Sequence, residues 1–149
     1  MIRKLVNHVL RREEINGGER CPTYLFRWTL ASTPWGKLYL HHFVGDDWSL
    51  DLHDHPKRFV SIGLAGSYVE ESRGYEFDDK RTFRAYRAPW IRTFPAHHRH
   101  RLSMPGGGSC WTLVWVGRTE REWGFWRGDE WTSWRQYVDH APDEVLSCR

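Results

Sequence analysis

Apolar and polar positions alternate along most of the chain between residues 23 and 116, in short runs separated by turn residues. Alternation with a period of two is typical of strands that bury one face. We predict strands over residues 23–31, 37–44, 49–55, 58–65, 68–72, 81–86, 91–94 and 110–116. Strands of this length at regular spacing, with no long helical segment between them, favour an all-β sandwich or barrel over a parallel α/β sheet.

Helical periodicity is confined to the two ends of the chain. Apolar residues at every third or fourth position predict a short amphipathic helix over residues 2–12, with a stripe made by Ile2, Leu5, Val6, Val9 and Leu10. Near the C-terminus Trp131, Trp134 and Tyr137 have helical spacing, which predicts a short helix or an aromatic strand extension. We expect these rings to cover an open sheet edge or barrel end. The 149 residues are interpreted as one domain, 1–149.

Composition and charge narrow the classes of partner. The formal net charge is +3, but basic residues alternate with acidic ones and form no basic block, so we expect no nucleic-acid partner. The ten Trp predict a thick aromatic core, an aromatic-walled cavity, or both. We find no signal peptide and no run long enough to cross a membrane, so we expect no membrane partner.

Cysteine usage bears on the cellular compartment. Cys21, Cys110 and Cys148 are odd in number, widely spaced and without a C-x-x-C pair. This pattern argues against a disulfide framework or a zinc ribbon and fits a reducing compartment. We therefore predict a cytoplasmic protein.

Two His-x-His pairs are the strongest chemical signal in the sequence. His53 and His55 lie in SLDLHDHP, and His98 and His100 lie in FPAHHRHRL. Residues i and i+2 of a strand point to the same face, so the imidazoles of each pair project together. Paired neutral imidazoles form half of a site for Zn, Fe, Ni, Cu or Mn. The two pairs predict a metal site if they meet in space.

The motifs around these histidines resemble those of the cupin superfamily. HDHPKRFVSIGLAG, with its His-x-His, apolar strand and glycine, is similar to the first cupin motif, and PAHHRH is similar to the second. DLHDHP at 51–56, HRL at 100–102 and REWGFW at 121–126 resemble small cupin-like proteins of bacteria and phages. The resemblance implies a small antiparallel jelly-roll β-barrel with a metal inside. It implies His53, His55 and His100 as ligands, with His98 in reserve.

The sequence departs from the cupin pattern at the position of the usual glutamate ligand. Phe59 and Val60 stand four and five residues after His55, and neither can ligate a metal. The site is then either a three-histidine site with open positions or one completed by an acid from elsewhere, with Glu70, Glu71 and Asp51 as candidates. We expect Glu70 and Glu71 to face solvent, because exposed acids are the rule.

The resemblance and the histidine spacing favour a metal-dependent enzyme. A three-histidine site with open positions suits an Fe(II) dioxygenase or hydroxylase acting on a small polar or anionic molecule, and Zn, Mn or Ni would instead act as a Lewis acid. For substrate binding we predict Arg58, Tyr68 and Trp126. The alternatives are an isomerase, epimerase or lyase on the same scaffold, and a non-enzymatic small-ligand binder. A homodimer formed through strand edges is a further expectation.

Overall fold

The computed structural model describes residues 11–74 and 80–148, and it contains eleven strands and one α-helix within those ranges. The elements are β1 (Arg12–Ile15), β2 (Leu25–Thr33), β3 (Gly36–Phe43), β4 (Leu52–His53), β5 (Phe59–Arg73), β6 (Arg81–Arg87), β7 (Trp90–Phe94), β8 (His100–Ser103), β9 (Cys110–Val116), β10 (Gly124–Arg127), β11 (Glu130–Ser133) and α1 (Trp134–His140).

The strands form two antiparallel layers joined by the long strand β5. The first half of β5 pairs with β7 and β9, and the order then continues through β3 and β2 to β1. The second half of β5 pairs with β6 and β8, and the order continues through β4 and β10 to β11. This arrangement is jelly-roll-like and all-β, as the sequence predicts. Within the described residues the predicted barrel is not closed, because the end strands β1 and β11 do not pair with each other.

Strand β5 corrects one sequence prediction. The Ala65-Gly66-Ser67 turn signal separates two predicted strands, but the chain continues through it as a single strand. The register against β9 shifts between Gly63 and Ala65, and Gly66 has a φ of 80°. A Cβ at Gly66 would lie 1.9 Å from the Ser109 carbonyl oxygen. Glycine therefore permits a bend at which one strand passes from the first layer to the second.

The chain ends differ from the predictions in different ways. Residues 2–10 of the predicted N-terminal helix lie outside the described residues, and Arg12 already belongs to strand β1. The predicted C-terminal helix is α1, which is preceded by the short strand β11. Its Tyr137 ring stacks on Phe125 of β10 at 4.0 Å between centroids, so the helix covers one end of the second layer. No described helix has the length and apolarity needed to span a membrane.

A disulfide joins two of the three cysteines, contrary to the expectation from their spacing. Cys21 and Cys148 are 127 residues apart in sequence and 5.7 Å apart at their Cα atoms, and Cys110 is buried and free. Cys21 packs in a buried cluster with Trp48, Phe125, Tyr137, Ala141, Val145 and Leu146. The pairing removes the cysteine argument for a reducing compartment, because disulfides are rare there. The cytoplasmic location stays a prediction.

Candidate metal centre

Three histidines converge at one end of the space between the two layers. His53 lies on β4 and is the register partner of His100 on β8, while His55 follows two residues after His53. The ligand nitrogens of the three rings all lie within 4.8 Å of one another. The His55 and His100 Nε2 atoms are 2.9 Å apart. The structure therefore brings together the three residues that the sequence motifs single out as ligands.

The bends around β4 hold these rings in place. Strand β4 is only two residues long, and the backbone N–H of His55 donates to the carbonyl of Ala96 at 2.9 Å rather than to a regular ladder. The residue between the two histidines, Asp54, is fully buried on the opposite side. Its carboxylate accepts from the Gly124 backbone N–H at 2.8 Å and from the Trp126 indole N–H at 2.9 Å. Asp54 thus fixes the strand whose two flanking residues face the site.

A buried carboxylate fixes the orientation and tautomer of His100. Glu70 Oε1 accepts from His100 Nδ1 at 2.7 Å and from His98 Nε2 at 2.9 Å, while its Oε2 accepts from Arg92 Nη2 at 2.5 Å. A proton on His100 Nδ1 leaves the Nε2 lone pair free to face His55. Carboxylate–histidine pairs of this kind orient metal ligands and raise their basicity.

A second carboxylate lies near His53. Asp47 Oδ2 is 3.8 Å from His53 Nδ1 and accepts the Leu102 backbone N–H at 2.7 Å. Burial raises the pKa of Asp47 to about 6, against the lowering effect of the Leu102 hydrogen bond. Asp47 therefore lies on the Nδ1 side of His53.

Electrostatics keep the cluster in the form that binds cations. Burial, followed by the neighbouring His100, lowers the pKa of His53 and of His55 well below the ordinary value. Burial alone would raise the pKa of Glu70, but hydrogen bonds from His100, His98 and Arg92 bring its pKa below the usual range. At neutral pH His53 and His55 thus present neutral imidazole lone pairs near the ionised Glu70 carboxylate, which is the state that metal binding requires.

The three acids proposed from sequence as further metal ligands lie in different places in the structure. The expectation that Glu70 and Glu71 face solvent is wrong, because they are only 2% and 5% exposed. Glu70 belongs to the histidine cluster, whereas Glu71 points the other way and pairs with Arg81 and Arg101. Asp51 accepts from Tyr137 and Arg127, outside the cluster.

His98 lies on the far side of Glu70 from His53 and His55. Glu70, His98 and His100 form a second group whose ligand atoms lie within 4.8 Å of one another. The Arg92 guanidinium on Glu70 disfavours a second cation there, because like charges repel in a buried site. We interpret His98 as a support for Glu70 rather than as a ligand of the three-histidine centre.

An elongated cavity of about 410 Å³ opens from the three histidines. Its walls are mostly aromatic and aliphatic, in keeping with the aromatic-walled cavity predicted from the ten Trp. Trp48, Trp123, Phe43, Phe59, Phe94 and Phe125 contribute rings. Polar side chains interrupt these walls at a few positions, as is typical of small-molecule sites.

The predicted substrate-binding residues do not share one location. Tyr68 lines the cavity, is 3% exposed, and its hydroxyl accepts from Arg92 Nη1 at 3.0 Å. Arg58 is exposed and pairs with Glu120 at 2.5 Å, away from the cavity. Trp126 packs under the Arg99 guanidinium, at 3.6 Å, and bonds Asp54 rather than lining the cavity. Neither Arg58 nor Trp126 lines the cavity, so the geometry does not support their assignment as cavity residues.

Sequence reasoning missed several cavity residues. Arg27, His41 and Thr112 line the wall formed by β2, β3 and β9. Alternation could have identified His41, because one of His41 and His42 must face inward, and His42 instead stacks on Trp111 outside at 4.0 Å. No local signal distinguishes Arg27 or Thr112 from surface strand residues.

Comparisons with solved structures identify the fold. A cupin-2 domain from Rhodospirillum rubrum matches with a TM-score of 0.61 and 16% identity over 79% of this chain and 76% of that one. The polyketide cyclase RemF from Streptomyces resistomycificus matches with a TM-score of 0.62 and 14% identity over 89% of each chain. Hydroxypropylphosphonic acid epoxidase from S. wedmorenis matches with a TM-score of 0.53 and 14% identity over 71% of this chain.

These likenesses show that the chain has the fold of the cupin superfamily, as the sequence motifs predict. The chain spans only 55% of the length of the epoxidase. Neither a protein-family model nor a curated protein sequence matches the chain significantly. The fold and the histidine cluster together define a small cupin-fold protein with a candidate metal centre.

The three-histidine cluster fits a divalent transition metal. Two nitrogens that bind one ion, each at about 2.1 Å, can be no more than about 4.2 Å apart. The 2.9 Å between His55 Nε2 and His100 Nε2 is within that limit. The donor set of neutral imidazoles suits Zn, Cu, Fe and Ni.

Proposed function

We propose that the chain is a metal-dependent cupin-type enzyme, an Fe(II) dioxygenase or hydroxylase that acts on a small substrate. The convergence of the His53, His55 and His100 nitrogens in the wall of a largely apolar cavity supports this proposal above all other observations. A ferrous ion held by three protein ligands supplies positions at which dioxygen and substrate bind together.

The protein residues have distinct roles in this proposal. His53, His55 and His100 hold the ion, and Glu70 keeps the proton on His100 Nδ1. The aromatic walls exclude water from the cavity and bind the apolar part of the substrate. Tyr68 remains a neutral phenol because burial raises its pKa, so its hydroxyl can donate to a substrate while it accepts from Arg92.

Metal analysis of protein purified without a histidine tag tests the proposal. We expect about one equivalent of metal per chain after reconstitution with Fe(II), and loss of that metal in the His55→Ala variant. His140→Ala serves as the matched control, because His140 is exposed and bonds only the Gln136 carbonyl, at 3.0 Å. A metal content below about a tenth of an equivalent in the reconstituted protein would contradict the proposal.

A second candidate function is a Lewis-acid enzyme such as a lyase or isomerase. The observation in its favour is that all three proposed ligands are histidines, which ligate as uncharged imidazoles, so the full charge of a bound Zn, Mn or Ni ion would remain available to polarise a substrate carbonyl. Oxygen consumption separates the candidates: turnover that continues under strict anaerobiosis excludes the oxygenase. A small-ligand binder without catalysis would bind ligand equally well after His53→Ala and His55→Ala.

The expected partner is a small-molecule substrate, and a homodimer remains a prediction. Size-exclusion chromatography with light scattering measures the oligomeric state directly.

A further inference from the structure

A row of polar side chains crosses one wall of the cavity. Arg27 on β2 is the register partner of His41 on β3, and His41 is the register partner of Thr112 on β9. All three side chains line the cavity. Neighbouring strands lie about 4.8 Å apart, so the row spans about 10 Å between its outer Cα atoms. Apolar positions border it, such as Phe43 and Val114.

The hydroxyl of Thr112 lacks a hydrogen-bond partner. Thr112 is 1% exposed, and its Oγ1 contacts no donor or acceptor in the part of the chain that the structure describes. Its next cross-strand neighbour is Gly63, which has no side chain to offer. Buried polar groups are almost always bonded, and an unbonded one is unfavourable. Since Thr112 faces the cavity, a bound molecule can provide the missing partner.

Arg27 gives the row its positive charge. Its Nε donates to His41 Nε2 at 3.1 Å, and its guanidinium lies over the Tyr39 ring at 4.9 Å. Among the described residues Arg27 pairs with one acid, Glu13, whose Oε2 is 4.0 Å from Nη1, at the limit of an ion pair. Burial, with Arg27 beside it, lowers the pKa of His41 well below the ordinary value, so His41 is neutral. The guanidinium is thus held in place by two neutral groups and only weakly neutralised.

We propose that Arg27, His41 and Thr112 form a subsite for the carboxylate of a substrate whose remaining body is apolar. The Arg27 guanidinium donates to the carboxylate from one end of the row, and the Thr112 hydroxyl donates from the other end. The aromatic walls surround the apolar body and direct it towards the three histidines. The subsite deepens the proposed function and rests on it, because the bound molecule is a substrate only if the protein is an enzyme. Binding of the carboxylate itself needs no metal.

The test uses 3-phenylpropanoate and its neutral amide as probes, titrated into chelator-treated protein by calorimetry. We expect the carboxylate to bind at least about tenfold more tightly than the amide, as for a charge-assisted hydrogen bond. Arg27→Gln should weaken carboxylate binding about 10- to 100-fold and leave the amide unchanged. Thr112→Val should weaken carboxylate binding about fivefold without lowering the melting temperature, because it removes an unsatisfied hydroxyl.

Matched controls lie on the outer face of the same layer. Arg12 is exposed and pairs with Glu14, and Thr93 is exposed on β7. Arg12→Gln and Thr93→Val should leave both affinities unchanged. Equal binding of carboxylate and amide by the wild type would overturn the subsite, and so would an affinity for the carboxylate that survives in both cavity variants.

The subsite and the metal proposal fail in different ways. If the carboxylate binds only to zinc-loaded protein and ignores Arg27→Gln, the carboxylate ligates the metal, and the subsite is wrong while the metal centre stands. If chelated protein shows the carboxylate preference but takes up no metal on reconstitution, the metal proposal is wrong while the subsite stands.

Discussion

Glu70→Gln is the most informative single substitution in this protein. It keeps the shape of the side chain but removes the charge that His98, His100 and Arg92 share. Gln offers one oxygen acceptor where Glu70 offers two, so at least one donor must face an amide N–H. The substitution therefore removes the negative charge behind His100 without replacing any of the three histidine ligands.

The magnitude follows from the buried position of Glu70, which is 2% exposed. Removing one partner of a buried ion pair costs about 3–5 kcal/mol. Arg92 keeps its bond to Tyr68 and its contacts with the Tyr86 and Phe94 rings, at 3.7 and 4.4 Å. We therefore expect the lower end, a loss of about 3 kcal/mol in the free energy of unfolding. Loss of the carboxylate charge on the His100 Nδ1 side should weaken metal binding about 10- to 100-fold.

The assay combines urea unfolding of the metal-free protein with metal titration against a chromophoric chelator. Glu71→Gln is the matched control, since Glu71 is the adjacent residue, is also buried, and pairs with Arg81 and Arg101 away from the histidines. The control should lose stability but keep its metal affinity. Unchanged metal affinity in Glu70→Gln, or an equal loss in Glu71→Gln, would refute the role assigned to Glu70.

Further predictions concern pH, the ligand strand and the disulfide. Folding lowers the pKa values of His53 and His55, so the unfolded chain binds more protons than the folded chain below pH 6.5. The free energy of unfolding of the metal-free protein should therefore fall with decreasing pH, by up to about 1.4 kcal/mol per pH unit for each histidine. A flat profile between pH 7 and 5 in urea melts would contradict the pKa directions. Asp54→Asn should lower metal affinity as well as stability, because the carboxylate bonds donors on β10 and β11. If stability falls but the chelator titration shows an unchanged metal affinity, the role of Asp54 is purely structural. Cys148→Ser should lower the free energy of unfolding by about 2–5 kcal/mol, because the disulfide with Cys21 closes a loop of nearly the whole chain, and an unchanged urea midpoint would show that the bond does not form.

The histidine convergence was predictable because it depends on short-range rules. Strand alternation places the two residues of an His-x-His pair on one face, and the DLHDHP and HRL motifs resemble cupin motifs whose strands face each other. The structure accordingly places His53 opposite His100. Most strand segments followed from the same alternation, although the bend at Gly66 merged two predicted strands into one.

Other features depend on partners that are distant in the sequence. Glu70 and Glu71 look alike as neighbouring strand acids, and only the β5–β8 pairing decides that Glu70 meets His100 while Glu71 meets Arg101. Arg58 lies three residues from His55, yet it turns outward to Glu120.

The sequence alone determined the all-β character and the two same-face His-x-His pairs, because these follow from residue periodicity, while its resemblance to cupin motifs implied the jelly roll and the three clustered histidines. The tertiary structure alone decided the Cys21–Cys148 bond, the burial of Glu70 and the polar row of Arg27, His41 and Thr112. Each of these depends on which strands become neighbours and on which side chains lose contact with water. Those outcomes are set by packing of the whole chain, so no local pattern contains them.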